Sequence, residues 1–136
     1  MILSVPVNYK IDPRRNLIRT VCTGDVNPKE VYDHFRDLAS DPNRPGRLNV
    51  LLDLTQMTSI PETDQVRGAS YELTRHLPEL RFNAVAIVAG GDVLFGMMRM
   101  FQVFAEDSFE ITRAFHTVAE AEAWLSEREA GLDAAA

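Results

Sequence analysis

Residues 48–64 read Leu-Asn-Val-Leu-Leu-Asp-Leu-Thr-Gln-Met-Thr-Ser-Ile-Pro-Glu-Thr-Asp. Asn49 to Leu54 is a near-continuous apolar run, the pattern of a strand covered on both faces, as in a parallel sheet. The run reaches Asp53, a short polar loop follows, and a helix is predicted over Glu62–His76. Val66, Ala69, Leu73 and Leu77 give that helix its buried stripe, and Pro78 stands just past its end. In a layered α/β domain, such a strand end is where a ligand or a covalent mark sits.

The same alternation extends in both directions. Upstream, Val5 to Asp12 reads as a strand with Val7, Tyr9 and Ile11 on one face. Asp12-Pro13-Arg14-Arg15-Asn16 is a turn signal, and Leu17 to Thr23 completes a hairpin. Asn27-Pro28-Lys29-Glu30 opens a helix, with Asn as cap, Pro at the first helical position and Glu30 closing a capping box. Val31, Phe35 and Leu38 mark its inner face, and it ends near Ser40. Downstream, Ala84 to Ala89 is a second apolar strand, broken by Gly90-Gly91-Asp92. Val93 to Ala105 is a third helix. Phe109 to Phe115 is a last strand, with Ile111, Arg113 and Phe115 alternating against Thr112 and Ala114. Thr117-Val118-Ala119-Glu120 is a second capping box, opening a helix with Val118, Ala121, Trp124 and Leu125 inward. The order is β-β-α-β-α-β-α-β-α, which means a mixed, mostly parallel five-stranded sheet with four helices. With no internal repeat or linker, residues 1–130 are expected to form one domain, and 131–136 a frayed tail.

A chain of 136 residues has the size of one domain with a single core. Its formal net charge of −6, with no block of Lys or Arg, argues against nucleic acid and against an anionic membrane surface. No apolar run approaches the ~20 residues of a spanning helix, so no stable membrane insertion is expected. No signal peptide is apparent at the N-terminus, and the cytoplasm is the expected compartment. The single cysteine, Cys22, lies in a predicted strand and reads as a packed thiol.

The element order and three segments resemble the STAS fold, and more closely the small bacterial proteins described as SpoIIAA-like. The segments are Val50-Leu51-Leu52-Asp53-Leu54-Thr55, then Val85-Ala86-Ile87-Val88-Ala89 with Gly90-Gly91-Asp92, then Thr112 to Leu125 with its Phe-ended strand and Ala-x-x-Trp-Leu-like helix end. Anti-sigma factor antagonists of the STAS family carry Asp-Leu-Ser-x-(apolar)-x-x-(apolar)-Asp-Ser-Ser-Gly, whose final Ser accepts phosphate from a partner kinase. In that register Asp53 and Leu54 match, Thr55 replaces the first Ser, Met57 and Ile60 fill the apolar positions, and Thr63 falls at the phosphoacceptor. Pro61, Glu62 and Asp64 depart from the motif, and Glu62 and Asp64 gather negative charge at a helix start. The resemblance implies a regulatory module that binds a partner protein. Some members of the wider group are suspected of lipid binding, which implies an apolar ligand as the alternative.

Catalysis has little support in the residues. His34, His76 and His116 lie on different elements, and no pair has metal-ligand spacing, so neither a metal nor a cofactor is expected. No Ser-centred elbow or phosphate-cradling glycine loop is present. Asp53 is the best polar candidate, with acceptance of backbone N–H groups as its structural role. The loop residues Asp53, Thr55, Thr58, Ser59, Glu62, Thr63 and Asp64 form the candidate docking surface. Glu62, Thr63 and Asp64 also suit the first turn of a helix with no further role.

The third helix carries more apolar surface than one sheet face requires. Arg99 is the one charge between Val93 and Ala105. Leu94, Phe95, Met97, Met98 and Phe101 are the candidate interface or pocket residues. Three explanations stand open: cover by the chain's own loops, a homodimer contact, or a lipid-like ligand. The last predicts a cavity of several hundred Å³ lined by Phe95, Met97, Met98 or Phe101. The reading is therefore a non-enzymatic binding module, docking a partner through the 53–64 loop and the Met-rich helix, with a carrier of an apolar molecule as the alternative.

Overall fold

The computed structural model of the protein describes residues 6–76, 81–105 and 112–135. Val5, Leu77, Pro78 and Phe109 to Ile111, together with the side chains of Leu73 and His76, lie outside the described residues. Within them the chain forms β1 (Val7–Asp12), β2 (Leu17–Gly24), α1 (Pro28–Ala39), β3 (Leu48–Met57), α2 (Thr63–His76), β4 (Phe82–Val88), α3 (Asp92–Phe104), β5 (Thr112–Phe115) and α4 (Val118–Ala135). The sheet order is β1-β2-β3-β4-β5, with β1 antiparallel to β2 and every other pair parallel. The expected mixed, mostly parallel sheet with four helices is therefore the fold.

Local signals place the ends. Asn27 accepts from the Glu30 backbone N–H at 3.0 Å while the Glu30 carboxylate accepts from Asn27 N–H, completing the first capping box. At the start of α4 the Thr117 hydroxyl accepts from Glu120 N–H at 3.2 Å and donates to the Glu120 carboxylate at 2.9 Å, so Thr117 caps the helix while the Glu120 side chain binds the cap hydroxyl instead of its backbone. Asn16, at φ 49, takes the left-handed turn of the β1–β2 hairpin that Asn tolerates. α4 continues past Gly131 to Ala135, where the sequence predicts a frayed tail. Its last residues are mostly Ala and Leu, the strongest helix formers, and they outweigh one glycine.

Because β2 to β5 are laid down in sequence order, right-handed crossovers carry α1, α2 and α3 onto one face of the sheet. Ile18, Val50, Leu52, Val85 and Ile87 point to that face and pack with Phe35, Leu38, Val66, Leu94 and Met98. Among the described elements, α4 alone covers the other face. There Leu17, Leu51, Ala84, Ala86 and Val88 pack with Ala121, Trp124 and Leu125. The indole of Trp124 tilts against Phe115 with ring centroids 5.5 Å apart. An ionic cluster ties α4 to the hairpin: Arg15 reaches Glu122 and Glu129 at 3.0 and 2.9 Å, and Arg19 also pairs with Glu122.

Candidate functional site

The rim of loops at the C-terminal end of the parallel strands is not quite where the sequence puts it. β3 runs three residues beyond Leu54. Its pairing with β4 stops at Asp53–Val88, but its pairing with β2 continues to Met57–Gly24. The added residues are covered on one side only, so Thr55 and Gln56 sit there without cost. Asp53 and Thr55 are thus strand residues; alternation puts Asp53 on the α4 face with Leu51, and across the register shift that follows Val21–Asp53 the hydrogen bond between the two side chains keeps Thr55 beside it. Asp53 is half-buried, and its Oδ1 accepts from Thr55 N–H at 2.9 Å and from the Thr55 hydroxyl at 2.6 Å. That is the acceptor role expected of it.

The loop proper spans Thr58 to Glu62 and lies toward the three-helix face. Thr58 N–H donates to Gly24 C=O at 2.8 Å. The Ser59 hydroxyl accepts from Val26 N–H at 2.8 Å and donates to Val26 C=O at 2.7 Å. These bonds staple the loop to the end of β2. Ile60 is left 53% exposed, and Pro61 turns inward and is buried. Gln65 caps α2 by accepting from Glu62 N–H at 2.8 Å. The cap therefore does not depend on Thr63, whose hydroxyl is exposed in the first turn beside exposed Glu62 and Asp64. The seven loop candidates are accordingly split between the two sides of the sheet.

α3 lies on the three-helix face, with Leu94 and Met98 buried against the sheet. Phe95 stacks on His116 with centroids 3.7 Å apart. Met97 and Phe101 are half-buried in the same core. The residues that remain outward are a different set: Val93 is 64% and Val103 62% exposed, Gly96 is exposed and Met100 is half-buried.

A cavity of about 80 Å³ lies between the sheet and α1–α2. Its walls are Val31, Phe35, Leu52, Leu54, Met57, Pro61, Val66 and Ile87, with Met98 and Phe101 closing one end. Phe95 and Met97 do not line it, and it is smaller than the several hundred Å³ expected from the sequence. A groove of about 620 Å³ runs above it between α1 and α2, edged by Lys29, Asp33, Arg36, Gln65 and Glu72. Cavity and groove share Asn27, Pro28, Tyr32 and Ala69, so the first opens beneath the second. The sequence reading missed this pairing. Ala69 was legible as a buried-stripe residue, but the gap appears only when α1 and α2 are set side by side.

Cys22, His34 and Tyr9 are held inside the fold by burial and hydrogen bonds. Cys22 is fully buried, and burial, with Asp53 and Glu30 nearby, pushes its thiol up to about 12. His34 is buried between the Tyr9 and Phe35 rings and shares a 2.9 Å hydrogen bond with the Thr20 hydroxyl. Burial lowers its pKa to about 4, so it is neutral near pH 7. The Tyr9 hydroxyl donates to Asp41 at 2.7 Å, and that bond, with burial and the carboxylate charge, raises its pKa to about 12. Among the described residues no group of three His, Cys, Asp or Glu side chains is placed to hold a metal ion. No helix among them is long and apolar enough to cross a membrane.

No curated protein is significantly similar to the chain. A crystal structure from Shewanella loihica PV-4, described as an uncharacterized protein of the DUF3478 family with a SpoIIAA-like fold, matches with a TM-score of 0.60. The match covers 92% of this chain and 98% of that one at 15% identity, and so speaks for the fold. The SpoIIAA-like family profile matches residues 17–126, from the first residue of β2 to well inside α4. With that span matched and this sheet order observed, the chain belongs to the SpoIIAA-like family.

Proposed function

We propose that the protein is a non-enzymatic binding module that takes the end of an apolar or amphipathic small molecule into the cavity beneath α1 and α2. One observation carries this reading: a wholly apolar recess opens under a larger groove with charged edges. The recess alone is smaller than the ~300 Å³ at which ligand pockets begin. An apolar tail would therefore occupy the recess while the rest of the molecule lies in the groove. Met57 and Met98, with their unbranched side chains, let the recess widen around a tail. Lys29 and Arg36 pair with Asp33 along the α1 edge of the groove, at 3.1 and 3.6 Å, and Glu72 lies on its α2 edge. This balance favours a neutral or zwitterionic head over a strongly charged one.

The test is thermal unfolding of the protein with decanoic acid and with 1-decanol. A rise in Tm that grows with ligand concentration is expected, larger for the alcohol. Ala69→Phe, which fills the junction of recess and groove, should abolish the rise while circular dichroism stays unchanged. No shift with either ligand, or an equal shift in Ala69→Phe, would remove the reading.

A partner-docking reading has its own support in the stapled loop, which holds Ile60 outward one residue from Pro61 and close to the exposed Thr63. Its test is mass spectrometry of the protein isolated from growing cells. Phosphate on Thr63 favours regulated docking there, and unmodified Thr63 through all growth phases argues against it.

A further inference from the structure

We propose that the head of the bound molecule is an uncharged carbonyl with no N–H or O–H of its own, as in a fatty-acyl ester, held by Tyr32, Asn27 and Gln65. This rests on the ligand reading and adds the chemistry of the head group. Tyr32 and Asn27 line both recess and groove, and Gln65 lines the groove. Of the residues lining the two spaces, these three are the uncharged polar ones. Two of them cap helices, and the cap decides what they can offer a ligand. Asn27 Oδ1 accepts from Glu30 N–H at 3.0 Å at the start of α1. Gln65 Oε1 accepts from Glu62 N–H at 2.8 Å at the start of α2. A backbone N–H only donates, so it fixes which end of each carboxamide is oxygen and leaves the NH2 outstanding. Neither NH2, nor the Tyr32 hydroxyl, has a hydrogen-bond partner among the described residues.

The recess is apolar, so Tyr32 meets it through its ring, which packs on the core, and its hydroxyl stands at the junction with the groove. The cations on the α1 edge are engaged, since Lys29 and Arg36 both pair with Asp33. What the head meets is therefore a set of neutral donors. A carboxylate would accept from them too, but it would lie near Asp33 and Glu72 and lose water on entering. An alcohol brings a donor to a site whose carboxamide oxygens are already committed to the caps. An ester carbonyl takes the donors and brings none, so no polar group of the head is left unpaired.

The test sets the Tm shift with methyl decanoate beside that with 1-decanol, each over a concentration series. The ester should bind about three- to tenfold more tightly, the worth of one neutral hydrogen bond. Tyr32→Phe should lower the ester affinity by a similar factor, with circular dichroism unchanged. The decisive variant combines Asn27→Asp with Gln65→Glu. Both carboxylates still accept the capping N–H, and Asp caps a helix as well as Asn does, so α1 and α2 keep their starts. Each donor becomes an acceptor, and the order should reverse, the ester binding more weakly and the alcohol more tightly. A merely structural defect would lower both affinities together. The head assignment falls, and the ligand reading stands, if 1-decanol binds the parent at least as tightly as the ester. It falls equally if Tyr32→Phe leaves the ester affinity unchanged, or if the ester keeps its advantage in the double variant. No shift with either molecule removes both readings.

Discussion

The two faces of the sheet are built to different standards. On one, α4 lies alone and is fastened at both levels available to it, by Trp124 and Leu125 in the apolar contact and by the Arg15–Glu122–Glu129–Arg19 cluster beside it. On the other, three helices share the sheet and leave a recess between α1 and α2. Helices packed side by side can close on the sheet or on each other, and where side chains run short the remainder is empty space. The tight face anchors the domain, and the looser face is where something else can enter.

The sharpest way to break this contrast is to cut the anchor. Trp124→Ala removes the largest apolar contact of α4 and should cost about 3–5 kcal/mol, read by urea unfolding. A loss below about 1 kcal/mol would mean that α4 is not the tight face. The next effect lies on the three-helix side, under α1. His34 titrates near 6.5 when unfolded but at about 4 in the fold. Below pH 6.5 the unfolded chain takes up the proton first, so stability present above that pH is lost as pH falls toward 4. The loss amounts to about 3 kcal/mol at most, and His34→Gln should flatten that part of the stability profile. A smaller change is expected for Met98→Ala at the end of the recess. It enlarges an existing void with adaptable neighbours, so about 2 kcal/mol is expected, at the low end for Met→Ala. A loss as large as that of Trp124→Ala would erase the distinction between the faces. Last comes Glu122→Gln. Burial pushes the Glu122 carboxyl up, but hydrogen bonds from Arg15 and Arg19 outweigh it and hold the carboxyl below its ordinary range. Its stabilisation is therefore present above pH 4.5 and fades as pH falls through the lowered value. The pair is a quarter exposed, and solvent screening leaves the substitution at about 1 kcal/mol or less at neutral pH.

The contrast also explains what was legible in the sequence. Element order, the two helix caps and the inward residues of α4 follow from periodicity and cap chemistry, which are local. The family resemblance rests on the same segments and holds. The end of β3 was misjudged because Thr55 and Gln56 look like loop residues, and only the unequal lengths of β2 and β4 make them strand. Asp53 accepts a backbone N–H and Thr63 stands in a first turn, as their residue types suggest, yet their lying on different sides of the sheet depends on that same extension. The recess and groove had no signal of their own. Val31, Phe35, Val66 and Ala69 are ordinary stripe residues, and an unfilled gap is a property of two stripes together. The apolar excess of α3 was plain, but its outward residues were not the bulky ones. Leu94 and Met98 went to the sheet, leaving Val93 and Val103 outside.

The spatial order of the strands is their order along the chain. Apart from α4 folding back across the sheet to Arg15 and Arg19, each element meets its main partners among those made just before or after it. Each parallel strand pair is closed by a single helical crossover rather than by a chain-length loop, so the loop-closure entropy is met in steps, and folding should be quick for a largely parallel sheet. A chain leaving the ribosome can add β3 to the hairpin, then β4, then β5, each on an edge already in place. Of the described elements α4 is the last to emerge, and it is the one that latches the β1–β2 turn, so the fold closes only once that helix is free to fold back.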